Sequence, residues 1–117
     1  VKLSDYVAQY ICDLGIKHVF MVAGGGAMHL NNSFGECNGL ETVFNLHEQA
    51  AAICAESYAK VTNFIGSALV TTGPGGTNAV TGVAGAWLDS TPCIFISGQV
   101  KCTDLIGNRG VRQFGFQ

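Results

Sequence analysis

Apolar positions along the chain alternate between helical spacing and short continuous runs. From Asp5 to Leu14 they fall on one helical face, Tyr6, Val7, Tyr10, Ile11 and Leu14. The pattern predicts a helix that Ser4 caps and Gly15 ends. His18 to Ala23 reads as a buried strand that stops at Gly24-Gly25-Gly26, with a short helix expected from Ala27 to about Phe34. A polar loop holding Gly35, Asn38 and Gly39 leads to a second strand, Thr42 to Asn45. An alanine-rich helix is expected from Glu48 to about Val61, and a third strand from Ile65 to Thr71. Thr72-Gly73-Pro74-Gly75-Gly76-Thr77-Asn78 predicts a sharp turn into a fourth helix that ends near Leu88. Pro92 to Ser97 makes a fourth strand, with Gly98-Gln99 at its carboxyl end. The stretch from Lys101 to Gln117 has no clear period and reads as a loop running toward further protein.

Strands and helices that alternate, with strands apolar almost throughout, predict an α/β domain. Its parallel sheet is buried on both faces, and right-handed crossovers place helices on both sides. All four strand ends then lie on one edge, where open α/β sheets bind their ligands. That edge carries Ala23-Gly24-Gly25, Asn45-Leu46-His47-Glu48, Thr71-Thr72-Gly73-Pro74-Gly75 and Ser97-Gly98-Gln99.

Composition narrows the picture. The 117 residues fit one domain, yet only 12% are charged, against about 25% in ordinary soluble domains. Part of the surface is therefore expected to be covered by another domain or chain, with an exposed apolar face beside the edge that carries Glu48. The net charge of -2 and the lack of a basic run argue against nucleic acid. No apolar run is long enough to span a membrane. The chain opens on Val1 rather than Met, so residues are expected upstream. Five cysteines, Cys12, Cys37, Cys54, Cys93 and Cys102, are widely spaced with no C-x-x-C. They support neither a disulfide framework nor a zinc site, and they suit a reducing cytoplasm as small buried hydrophobes.

Glu48 stands at a strand-to-helix junction. On position alone the plainer reading has the advantage, a first-turn carboxylate facing the helix dipole. A dinucleotide is a weak candidate ligand. Gly24-Gly25-Gly26-Ala27-Met28-His29 meets the first two glycines of G-x-G-x-x-G but has His29 at the third. The turn from Gly73 to Asn78 lacks the lysine of a phosphate-binding loop. No H-E-x-x-H, G-x-S-x-G or carboxylate cluster points to hydrolysis or a metal.

Five stretches together reverse the reading of Glu48. Val19-Phe20 with Gly24-Gly25, then His47-Glu48-Gln49-Ala50-Ala51, then Thr72 to Asn78, then Leu88-Asp89-Ser90-Thr91-Pro92 and Ser97-Gly98-Gln99-Val100, follow in order. The chain resembles, over essentially its whole length (1-117), the N-terminal pyrimidine-binding domain of thiamine diphosphate enzymes. The acetolactate synthase-like decarboxylases and carboligases are the nearest group. The resemblance implies a flavodoxin-like sheet and a fragment of a longer polypeptide. It implies thiamine diphosphate-dependent decarboxylation of a 2-oxo acid with carboligation, in a lyase or transferase. It implies that Glu48 hydrogen-bonds N1′ of the aminopyrimidine and so promotes proton removal from C2 of the thiazolium. Gln99 matches a glutamine facing the substrate, although a satisfied polar group at a strand end is an equal alternative.

By the same resemblance, Gly24, Gly25, Thr71, Gly73, Pro74, Gly75 and Asn78 bind the cofactor beside Glu48, although each of the glycines reads equally as a turn residue. His47 orients the turn, while Asp89 and Trp87 are fold residues, a helix-end carboxylate and a packing aromatic. No metal ligand is assigned to this chain. Mg²⁺ and the diphosphate belong to a domain with a G-D-G…N motif, which does not occur here, in a neighbouring subunit of a homo-oligomer, expected as a dimer. FAD is left open. Val22-Ala23 replaces the Tyr-Pro of acetolactate synthases, which leaves the substrate open. Two alternatives stand beside this reading. One is a carboligase that adds a two-carbon acyl unit to a sugar ketone in surface-polysaccharide synthesis. The other is a non-catalytic assembly domain.

Overall fold

The switching period resolves into four helices and four strands, described for residues 1–105 in a computed structural model. In chain order they are α1 (Leu3–Asp13), β1 (His18–Met21), α2 (Met28–Glu36), β2 (Glu41–Phe44), α3 (Glu48–Thr62), β3 (Gly66–Val70), α4 (Pro74–Leu88) and β4 (Cys93–Ser97). Single 3₁₀ turns cover Gly25–Ala27 and Cys102–Asp104. Residues 106–117 lie outside the described part, and with them most of the expected C-terminal loop.

The strands are all parallel, in the order β2-β1-β3-β4. The sheet grows from β1 toward β2, then restarts on the other side of β1 with β3. The boundary between β1 and β3 is therefore the switch point, where loops leave in opposite directions and open a crevice. Phe20 stands beside Ala68 and Met21 beside Leu69 across that boundary.

Alternation along the strands sends side chains to two covered faces. Val19, Met21 and Leu69 meet Ala8 and Ile11 of α1 and Phe34 of α2. On the other face Val70 packs with Ala52 of α3 and Ala79 of α4, joined by Phe95. Here β1 presents Phe20, whose ring meets Tyr58 edge-on at 5.7 Å, and His18, whose Nδ1 lies 2.8 Å from the Tyr58 hydroxyl. His18 Nε2 also lies 3.2 Å from Glu41 Oε2. β3 is buried along its whole length, while the edge strands β2 and β4 are half-exposed.

The second face is built on small residues. Ala51, Ala52, Ala55 and Ala59 bury the inner side of α3. They let the helix approach β3 so closely that a Cβ on Gly66 would fall on the Ala55 carbonyl oxygen. α4 packs on α3 through Gly82, where a Cβ would come 2.5 Å from that of Ala52. Lys60 then ties the two helices together, 2.7 Å from Glu56 and 2.6 Å from Asp89, and these two carboxylates push its pKa up.

Several boundaries differ from the sequence expectation. Lys2, not Ser4, is the N-cap of α1, and no side chain caps it. Ser4 lies within the first turn because α2 packs over it. Ser33 Oγ sits 2.8 Å from Ser4 Oγ and donates to Asp5 Oδ1 at 2.6 Å. That bond, helped by Lys2, lowers the Asp5 pKa. β1 stops at Met21, earlier than Ala23, because its end turns into the glycine loop. The short second helix begins as a 3₁₀ turn and runs two residues past Phe34. Asp89 does end α4, but Trp87 is 83% exposed and packs no core among the described residues. Four cysteines are half-buried and Cys102 is exposed, so none is the fully buried hydrophobe expected. No helix of the described residues is long and apolar enough to cross a membrane.

Candidate functional site

The carboxyl ends of β1, β3 and β4 are stitched together around the turn at Gly25–Ala27. Thr71, the first residue after β3, accepts a hydrogen bond at Oγ1 from the Gly26 amide, 3.0 Å away. Gly24 must lack a side chain, since a Cβ would overlap that of Thr71. The Gln99 amide donates to the Gly26 carbonyl at 3.1 Å, and the Gly98 amide to that of Val70 at 2.9 Å. A Cβ on Gly98 would land on the Gly26 carbonyl oxygen. Ser97 Oγ closes the ring by donating to the Thr71 carbonyl at 3.1 Å.

Beside this ring the chain turns sharply into α4. Gly73 has φ 60° and ψ -117°, a conformation that glycine adopts without the penalty other residues carry. Pro74 follows at the first helical position, where its missing N–H is no loss. Gly75 then faces two site residues. A Cβ there would stand 2.7 Å from Thr71 Cγ2 and 3.8 Å from Glu48 Oε1.

Glu48 is the first residue of α3 and is half-buried. Its Oε2 accepts from Asn78 Nδ2 at 3.0 Å, which links the starts of α3 and α4. The first turns of α3 and α4 thus meet at this carboxylate. His47 caps α3, its Nδ1 accepting from the Gln49 amide at 3.1 Å. That is the turn-orienting part expected of it, and it requires the tautomer with the proton on Nε2. Leu46 is fully exposed and Phe44 largely so, which gives the apolar surface expected beside Glu48.

The structure thus gathers Glu48, Asn78, Gly75, Thr71 and Gly24 into one cluster, with Gly73 and Pro74 forming its wall. Gln99 stands on the β4 side. Its Oε1 accepts from Thr72 Oγ1 at 3.3 Å and from the Val100 amide at 2.8 Å. At Gly25 a Cβ would meet nothing within 4 Å, so internal packing does not demand glycine there. Sequence reasoning missed Gly26 and Gly98. The signal for Gly26 was present, as the third glycine of an uninterrupted run. Among the described residues no group of three or more His, Cys, Asp or Glu could hold a metal ion. A groove of about 430 Å³ lies apart from this cluster, between α4 and β4, lined by Val83, Ala86, Trp87, Cys93 and Phe95. Its residues lie away from the carboxyl ends of the strands.

The tightness at Gly75 gives a direct test. Gly75→Ala forces Thr71 to rotate and weaken its bond to Gly26, with an expected loss of about 1–3 kcal/mol in urea unfolding. Gly76→Ala meets only Ser97 Oγ, at 3.3 Å, and should lose clearly less. Equal losses would show that Gly75 is not specially confined.

The family model for "Thiamine pyrophosphate enzyme, N-terminal TPP binding domain" matches residues 1–114. The acetolactate synthase large subunit of Buchnera aphidicola subsp. Schizaphis graminum is 42% identical over 104 residues, 89% of this chain and 18% of that protein. Acetolactate synthase isozyme 3 large subunit of Escherichia coli (strain K12) is 41% identical over 104 residues, with the same two shares, 89% and 18%. Acetolactate synthase 2, chloroplastic, of Nicotiana tabacum is 38% identical over 99 residues, 85% of this chain and 15% of that protein. The chain thus spans less than a fifth of the length of these relatives.

Proposed function

This chain belongs to the thiamine pyrophosphate enzyme family, as the N-terminal TPP binding domain, and on that premise we propose that it holds the aminopyrimidine of thiamine diphosphate against Glu48. The enzyme it serves decarboxylates a 2-oxo acid and joins the acyl fragment to a second carbonyl compound. The observation that carries this reading is the Glu48 carboxylate, held by Asn78 at the switch-point edge and facing a bare glycine.

The cluster suits a flat heteroaromatic ring. Such a ring needs backbone free of Cβ atoms on one side and a proton partner at its edge. Gly25 opens onto free space, where a Cβ would meet nothing within 4 Å, while Gly75 keeps bare main chain packed against Thr71 beside Glu48 Oε1. Asn78 donates to Oε2 of Glu48, so Oε1 is the oxygen turned toward Gly75. When bound, the cofactor would supply a nucleophilic carbon and a thiazolium ring able to take up the electron pair of a decarboxylation. Glu48 shares a proton with the ring nitrogen, as a general acid–base residue must. Thr71, Pro74 and Gly73 fix the wall, Gly24 lets that wall close, and Gln99 faces the substrate side. Leu46 and Phe44 exclude water once a second domain covers the edge. That domain, in a neighbouring subunit, holds the diphosphate through Mg²⁺. The working protein is a cytoplasmic homo-oligomer.

The test compares two forms. The full polypeptide, given thiamine diphosphate and Mg²⁺, is expected to release CO₂ from a 2-oxo acid and form a carboligation product. The 117-residue chain alone is expected to bind the cofactor only at millimolar concentrations, about -4 kcal/mol, and to release none. Tight one-to-one binding by the isolated chain in calorimetry would mean that the site is whole without a partner domain. No CO₂ release by the full polypeptide would overturn the enzymatic reading.

A further inference from the structure

α1 and α2 pack side by side on one face of the sheet and end on the same edge, opposite the Glu48 cluster. Each end carries a cysteine. Cys12 is the penultimate residue of α1, and Cys37 is the C-cap residue of α2. Both are half-buried, and neither is in a disulfide.

The two sulfurs converge on one atom. Cys12 Sγ lies 3.6 Å from the Asn38 carbonyl oxygen and Cys37 Sγ lies 4.0 Å from it. They cannot be further apart than those two distances laid end to end. The loop after α2 is shaped around the Cys12 sulfur. Gly39 has φ 101°, and a Cβ there would stand 2.8 Å from Cys12 Sγ. Burial first, then the neighbouring Cys12 thiol, push the Cys37 pKa up. Cys37 is thus held protonated at neutral pH.

We propose that Cys12 and Cys37 form a reversible disulfide that staples the ends of α1 and α2 when a peroxide oxidant is present. One thiolate attacks a peroxide oxygen. The O–O bond breaks, water leaves after protonation, and the sulfur becomes a sulfenic acid. The second thiolate attacks that sulfur, the S–O bond breaks, and hydroxide leaves and is protonated to water. Two thiols and one hydrogen peroxide thus give one disulfide and two waters. A dithiol reductant reverses the bond by exchange through a mixed disulfide. Because the thiolate is the reacting form, closure should quicken as pH rises.

The test uses the full polypeptide treated with hydrogen peroxide, quenched with an alkylating agent and digested. The expected product is a peptide pair joining Cys12 to Cys37, lighter by two hydrogens than the two thiols, with Cys54 and Cys93 recovered alkylated. Cys12→Ser and Cys37→Ser should each abolish the pair and leave the remaining thiol free. Amide hydrogen exchange at the ends of α1 and α2 should slow on oxidation and recover with dithiothreitol. The Cys37→Ser variant should show no such change. Pairing of either cysteine with a different partner would overturn the proposal. So would recovery of both as separate alkylated or over-oxidised residues while the rest of the digest is oxidised.

Discussion

Glu48→Gln in the full polypeptide is expected to slow proton exchange at C2 of bound thiamine diphosphate by roughly 10²–10⁴-fold, the usual range for general acid–base help. The substitution keeps the side-chain shape and leaves an oxygen for Asn78, which donates to Oε2 at 3.0 Å. What it removes is a group able to share a proton with a ring nitrogen. An amide holds its protons too firmly to pass one and accepts one too weakly. Cofactor affinity should change far less than exchange rate, since the cradle of Gly75 and Thr71 is untouched. NMR measurement of deuterium uptake at C2 decides the matter. Unchanged exchange in the variant would reduce Glu48 to a first-turn carboxylate serving the helix.

Gly66→Ala is expected to be the most damaging single methyl among the described residues, with a loss of about 3 kcal/mol or more at the upper end of overpacking. The new Cβ would fall on the Ala55 carbonyl oxygen. That oxygen is main chain, so no rotamer change can relieve the clash. α3 as a whole must lift from β3, and the fully buried row of Ala51, Ala52, Ala55 and Ala59 loses contact with the sheet. Glu48 opens the same helix, so cofactor binding should weaken along with stability. Gly35→Ala is the control. It lies in α2 with nothing within 4 Å of a Cβ, and helix propensity favours Ala over Gly by about 0.5–1 kcal/mol. Chemical denaturation of both should give changes of opposite sign. A mild effect at Gly66 would mean that α3 does not approach β3 this closely.

The element order, the parallel sheet and the edge that carries the Glu48 cluster were legible along the chain, because period and turn chemistry are local. Gly15 ends α1 with φ 88°, and Gly73-Pro74 opens α4, as short-range rules predict. Ser4 shows where such rules stop. A serine just before an apolar face is a good cap on local grounds, yet Ser33, far along the chain, draws it into the first turn instead. Trp87 shows the same limit in the other direction. Its size suggests a core, but core membership depends on which elements lie over it.

The resemblance selected Glu48, Thr71, Gly75 and Asn78 from the chain order of their motifs. That Asn78 holds the Glu48 carboxylate, that Gly26 bonds Thr71, and that Gly98 must be bare beneath Gly26 were decided only in three dimensions. Cys12 and Cys37 meet at the Asn38 carbonyl for the same reason. Apolar period reports which way each residue faces within its own element. Which distant residues become neighbours depends on strand order and on how near small residues let helices come. The crossover from β2 over β1 to β3 set the first. The methyl-sized surfaces of Ala52, Ala55, Gly66 and Gly82 set the second, because hard-core repulsion at main-chain atoms allows that approach only where a Cβ is missing or small.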